Sequence, residues 1–228
     1  MGKKRNVFIK KPSKSYLALF MLLFGIIVIV GIVGMEAKKE LSELSKSAPE
    51  ASNPMRTRGQ PNAPIKIIEY ADFQCEPCAE GAKELKKYMQ EHPNDIFLEL
   101  KHYPLDEHKN SLKAAVYSEC AGWQGRFWPF VDKLFEQQEQ WKSLSNPDNF
   151  FEQIAHDLGI KKSGLSQCIE NPEVKKTILK QREHGEALAI DTVPTYYINK
   201  EMVVGDEDLM KTINQEQLKL KESRGQAE

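Results

Sequence analysis

Cysteine is scarce in this chain, four in 228 residues, and the arrangement of the four is informative. There is one Cys-x-x-Cys, Cys75-Glu76-Pro77-Cys78; no second such pair and no histidine pair completes the four-ligand set of a zinc site. An excess of charge of one sign is lacking too. The 32 Lys and Arg against 33 Asp and Glu leave −1. With the N-terminal cations set aside the remainder is acidic, so there is no basic surface for nucleic acid. Internal repeats and long low-complexity tracts are absent, which excludes a repeat architecture. Once the N-terminal segments are set aside, the remaining length suits one compact domain better than two.

The first recognisable element is a long apolar run. Lys3, Lys4, Arg5, Lys10, Lys11 and Lys14 precede an uncharged stretch from Leu17 to Met35, long enough to cross a bilayer as a helix. The positive-inside rule then places the basic tail, residues 1–16, in the cytoplasm and everything after Glu36 outside it. The competing reading is a cleavable signal peptide. Its apolar core is normally shorter and ends at a small-residue site, which Met35-Glu36-Ala37 fits poorly. No cysteine follows the run closely enough for a lipoprotein anchor. Residues 36–60 read as a short helical continuation passing into a flexible tether rich in Ser, Ala and Pro.

The chemistry concentrates at Cys75 and Cys78. Two thiols two residues apart at the start of a helix form a reversible redox couple. The helix N-terminus, with its unpaired N–H groups and macrodipole, stabilises a thiolate at Cys75 and makes it the attacking sulfur. Cys78, one turn in, would resolve the mixed disulfide. Pro77 fits the first turn, Ala79, Ala82, Leu85 and Met89 supply an apolar stripe, and Pro93 closes the helix. Half of a zinc site or two buried thiols have the same spacing. Ile65 to Tyr70, however, reads as a strand running straight into the motif, and strand–CxxC–helix is a thioredoxin-like arrangement.

Far along the chain, Val193-Pro194-Thr195 leads into a β-rich run through Ile198, a turn at Asn199-Lys200 and a short strand at Met202 to Val204. Together the strand, CxxC helix, long helical stretch, Val-Pro-Thr strand and terminal helix resemble the DsbA-type branch of the thioredoxin superfamily, from Pro61 to about Leu220. The expected architecture is α/β: a thioredoxin fold over residues 61–222 with a helical insertion at about 106–188, preceded by one transmembrane helix at 17–35 and followed by a tail at 223–228.

The resemblance carries residue roles with it. It implies that Pro194 is cis and faces the sulfurs, the alternative being an ordinary trans proline at a strand start. It implies that Val193 and Thr195 border the surface where a client strand docks. It implies a buried acid at Glu69, able to move the proton of Cys78 if burial raises its pKa; a solvated strand-edge glutamate is the alternative. An extracytoplasmic setting favours disulfides, and Cys120 with Cys168 resembles a second, structural pair of some relatives, the alternative being two separate thiols. The implied function is exchange of disulfides with exported cysteine-containing proteins, as an oxidase recharged by a quinone-linked membrane partner. The chain would be a single-pass protein of the bacterial cytoplasmic membrane, with the domain on the periplasmic side and no diffusible cofactor or metal. Reduction or isomerisation, and copper or zinc delivery by Cys75 and Cys78, are the other readings. Glu76 beside Cys75 opposes a thiolate, and Pro77 stands where oxidising relatives carry histidine, so the expected oxidant is mild.

Between the halves the pattern is helical. Leu112, Ala115, Val116 and Cys120 share one face, and Phe127, Phe130, Val131, Leu134 and Phe135 another, with a break at Trp123-Gln124-Gly125. Asn146 as N-cap, Pro147 at the first position and Gly159 as stop frame a third helix, and Asn171-Pro172 opens a last, longer one. His102 and His108 are expected to be structural or solvated, and Trp123 or Trp141 are candidates for binding unfolded chains if exposed.

Overall fold

The computed structural model describes residues 54–225. The expected basic tail, transmembrane run and most of the tether lie outside the described residues. Among those described, no helix is long and apolar enough to cross a membrane.

Five strands form one sheet in the order β1-β3-β2-β4-β5: β1 Thr57–Gly59, β2 Ile65–Ala71, β3 Ile96–His102, β4 Thr195–Ile198 and β5 Glu201–Val204. β2 lies parallel to β3 and antiparallel to β4, with Glu69 opposite Leu100 on one side and Tyr196 on the other. Central pairing on both sides explains its near-continuous apolar sequence. Helix α1, Glu76–Glu91, connects β2 to β3, and α8, Leu209–Gly225, ends the fold. Ile65, Ile67, Leu98, Tyr196 and Ile198 of the sheet pack with Leu85 and Met89 of α1 and Leu209 and Ile213 of α8.

The insertion comprises α2 Ser111–Gly122, α3 Phe127–Glu136, α4 Gln138–Trp141, α5 Asp148–Asp157, α6 Lys162–Ile169 and α7 Pro172–Ala187. Its interior is aromatic, with Phe130, Trp141 and Phe151 fully buried, and it is continuous with Tyr70, Phe73 and Leu100 of the sheet side. A Cys120–Cys168 disulfide joins α2 to α6. α2 is buried on nearly every side, beyond the single face expected of it.

The structure corrects three expectations. Residues 54–59, read as tether, form a short 3₁₀ turn and strand β1, which pairs antiparallel with β3. Thr57-Arg58-Gly59 has no apolar alternation; it is held instead by backbone pairing and by Arg58, which binds Asp132 at 2.7 Å and lies over the Trp128 ring. The buried stripe of α1 is Cys78, Gly81, Leu85, Tyr88 and Met89, whereas Ala79 and Ala82 are half-buried on the side of the insertion. Helix α5 starts one residue later than expected, with Pro147 at the N-cap, yet Asn146 Oδ1 still accepts from Asp148 N at 3.1 Å.

Candidate active site

The site is built where β2 ends and α1 begins. Cys75 is the N-cap of α1, with extended backbone at φ −78° and ψ 126°, and Pro77 lies in the first turn. Both cysteines are free thiols; Cys75 is 7% exposed and Cys78 not at all, so only the first can meet an outside sulfur directly. The Val193–Pro194 peptide is cis, and Val193 O lies 3.4 Å from Cys75 Sγ, which donates to it. Thus the two motifs, 118 positions apart, converge on one sulfur. Thr195 also lies at this corner, but its side chain turns inward and donates to Thr192 O.

The thiols are held unequally. A hydrogen bond from the Cys78 thiol lowers the Cys75 pKa against the opposing effect of burial; the Cys78 backbone N–H and His108 help, and the charge of Asp72 opposes. Burial pushes Cys78 well above the ordinary thiol value, and donating to Cys75 pushes it further. Of the two thiols Cys75 is therefore the one that gives up its proton first. Glu69 lies on the sheet face that packs against α1 and is fully buried, so its carboxyl pKa rises to about 8, opposed only in part by Arg58. A neutral buried acid near a thiol that must gain and lose a proton can act as its proton donor and acceptor.

Sequence reasoning missed three polar groups of the site. Asp72, fully buried, accepts from Gln74 N at 2.6 Å, Leu105 N at 2.8 Å and His108 Nδ1 at 2.9 Å, while its own carbonyl accepts from Cys75 N at 3.1 Å. Gln138 of α4 reaches across from the insertion, its Nε2 donating to Phe73 O at 2.9 Å and Cys75 O at 2.8 Å. Tyr196 pairs with Glu69 across the sheet. An aspartate at a strand end just ahead of a helix is a turn signal that could have revealed Asp72. Gln138 carries no such signal, because its partners are more than 60 positions away.

The histidines divide. His102 is buried and structural, its Nε2 2.8 Å from Glu119 Oε1, which also accepts from Arg56 at 3.1 Å. His108 belongs to the site through Asp72, contrary to the expectation of a merely structural or solvated residue. Trp123 is exposed, whereas Trp141 is fully buried and donates to Leu134 O. Among the described residues no group of three or more His, Cys, Asp or Glu is placed to hold a metal ion.

Comparison with known proteins bears on the whole described region. The thioredoxin family model matches residues 51–217. A sodium/proton antiporter NhaA 1 of Mycolicibacterium gilvum is 27% identical over 143 residues, 62% of this chain; the chain spans only 23% of that protein's length. A probable disulfide bond formation protein D of Bacillus anthracis is 22% identical over 222 residues, covering 92% of this chain and 99% of its own. Among solved structures, α-DsbA1 of Wolbachia pipientis superposes with a TM-score of 0.65 at 24% identity, covering 76% of this chain and 94% of that one.

Proposed function

The chain belongs to the thioredoxin family; from that premise we propose that it is a DsbA-like thiol–disulfide oxidoreductase, a membrane-anchored, extracytoplasmic oxidase of exported proteins. The observation that carries the proposal is the reacting corner: Cys75 at the N-cap of α1, its sulfur 3.4 Å from the carbonyl that precedes cis-Pro194. A client thiolate attacks Cys75 Sγ, the Cys75–Cys78 bond breaks, and Cys78 leaves. A second client thiolate then attacks the client sulfur of the mixed disulfide and releases Cys75. The client loses two electrons and the enzyme gains them. Val193 offers main-chain groups beside the reacting sulfur, where an extended client segment can pair.

Anchoring and side of the membrane rest on the six cations before Leu17 and the apolar run to Met35. Recharging by a quinone-linked membrane partner follows from the oxidase reading, since an oxidase must be reoxidised after each turnover. The redox state of Cys75 and Cys78 in cells, trapped by acid and alkylated, tests the direction. An oxidase is found mostly as the disulfide; a mostly reduced pair would mark a reductase or isomerase instead. A membrane-impermeant amine reagent added outside the membrane should label exposed lysines of the domain such as Lys83; protection of them in intact cells would overturn the topology.

A further inference from the structure

Beneath Cys78 lie two buried oxygens without hydrogen-bond partners among the described residues, Glu69 Oε1 and the Tyr196 hydroxyl. They are cross-strand neighbours: Glu69 on β2 and Tyr196 on β4 are directly opposed in the antiparallel register. Opposed side chains share a face of the sheet and come within reach of one another. Here that face packs against α1. Tyr196 is fully buried, at 0% exposure. A buried hydroxyl left without an acceptor is destabilising.

Helix α1 accommodates this hydroxyl at a further cost. A Cβ on residue 81 would overlap the Tyr196 hydroxyl oxygen, so Gly81, three residues after Cys78, leaves the space that the phenol tip fills. Glycine inside a helix is less favourable than alanine. Two local costs therefore converge on keeping a phenol O–H beside Glu69 and Cys78.

Resting on the oxidoreductase reading, we propose that Tyr196 is a positioning residue for proton transfer at Cys78: its O–H is the donor that receives the Glu69 carboxylate formed when Glu69 protonates the departing Cys78 sulfur. In that step a client thiolate bonds to Cys75 Sγ, the Cys75–Cys78 bond breaks, and its electron pair goes to Cys78 Sγ. The proton passes from the Glu69 carboxyl to Cys78 Sγ, and Glu69 becomes an anion. Before the step the acid is neutral and offers the phenol only the weaker acceptor of an uncharged carboxyl, to which it makes no hydrogen bond. After it, a buried carboxylate stands where the phenol can reach, directly or through one water, so the donor is in place where charge develops. The other groups that bear on the phenol are Cys78, Cys75 and Asp206, and Arg58 of β1 bears on Glu69.

Tyr196→Phe removes the hydroxyl and keeps the packed ring. The full-length chain with ¹³C-carboxyl glutamate, Glu69→Gln serving to assign the signal, reports the Glu69 titration directly. Tyr196→Phe should move its midpoint to higher pH by about one pH unit, the loss expected for one hydrogen bond to a charged group. Stopped-flow oxidation of a dithiol peptide at pH 7 should slow about tenfold by the same conversion. In a Glu69→Gln background, Tyr196→Phe should change neither rate nor pH profile. An unmoved Glu69 midpoint, or an equal slowing with Glu69 already replaced, would overturn the proposal. Reduced thermal stability of Tyr196→Phe at pH 6, where Glu69 is neutral, would also overturn it by marking the hydroxyl as structural. If the unmodified protein oxidises no dithiol at any pH, the oxidase reading fails separately, and the Glu69 titration still decides the role of Tyr196.

Discussion

Cys75 and Cys78 are three positions apart and flanked by titratable groups, whereas Cys120 and Cys168 are 48 apart, fully buried, and joined within the aromatic cluster of the insertion. The first pair has Asp72 and His108 on the side of the attacking sulfur and Glu69 and Tyr196 beneath the resolving one. The contrast teaches what a disulfide needs in order to react. A bond that opens must have somewhere to put a negative charge and a proton; a bond that stays closed is best surrounded by groups that can accept neither.

The strongest way to break the comparison is to exchange the roles of the two sulfurs. Cys75→Ser should abolish exchange, while Cys78→Ser, mixed with a client already in its disulfide form, should accumulate mixed disulfide, because only Cys75 is reachable and without Cys78 no enzyme thiol can displace the client from it. Non-reducing electrophoresis with a client peptide reads both results. In the reduced native protein, faster alkylation of Cys78 than of Cys75 would contradict the assignment.

The two acids that flank the active pair should respond in opposite directions. Asp72 has three donors on its carboxyl. Asp72→Ala leaves them unpaired and should cost about 3–5 kcal/mol in denaturant unfolding. Glu69 has its folded pKa raised from 4.5 to about 8. Between those values the folded chain holds a proton that the unfolded chain has released, so its contribution to stability is full below pH 4.5 and is lost as pH rises through 8. Glu69→Gln should remove that slope and stabilise the fold at pH 8 by about 4 kcal/mol, an upper figure for a fully buried group. Equal unfolding midpoints for native protein and Glu69→Gln across pH 5–8 would show that Glu69 is not held neutral.

The quiet pair should matter for stability and not for exchange. Replacing Cys120 and Cys168 together by alanine frees a loop of 48 positions, and the chain-entropy relation puts the loss at about 4 kcal/mol. At matched folded fraction the exchange rate should stay within about twofold, since no titratable group of the site depends on this bond. A large loss of rate in folded protein would mean that the insertion and the redox corner are coupled more tightly than the contrast between the pairs allows.

What the sequence revealed about these regions follows from how local each signal is. Cys75 to Cys78 and Val193 to Thr195 are contiguous motifs, so their chemistry was legible before any fold was known; their meeting at 3.4 Å required the fold. The buried face of α1 was read one step off because Gly81 and Tyr88 do not count as apolar in a periodicity, although close helix–sheet approach uses both. β1 was invisible because a three-residue edge strand carries no alternation, and its anchor Arg58 reads as a solvated charge until Asp132 is found beside it. His108 and Gln138 were discounted or missed for a related reason. Each is a polar residue whose partner lies 36 or more positions away, and a single side chain of this kind has no sequence signature of its own. Asp72 differs, since besides its distant partners it accepts from Gln74 N two positions on, a turn signal that was passed over.

The smallest expected effect concerns Glu76, and it sharpens the view of what sets the redox poise. The dipeptide suggested that Glu76, next to the attacking sulfur, opposes its thiolate and makes a mild oxidant. In the fold Glu76 is exposed, on the rim of a groove between α1 and the insertion, and the charges that bear on Cys75 come from Asp72 and His108 instead. Exposed charges interact weakly because water and salt screen them. Glu76→Gln should therefore raise the reduction potential by only about 10 mV, which is about 0.5 kcal/mol for this two-electron couple. His108→Gln removes a group that lowers the Cys75 pKa. The reduced form is then less stabilised and the potential should fall, by about 20 mV at low salt. Equilibration of each variant against glutathione measures both shifts. If Glu76→Gln moved the potential further than His108→Gln, the poise would be set within the motif itself, and the polar groups assembled around Cys75 by the fold would be secondary.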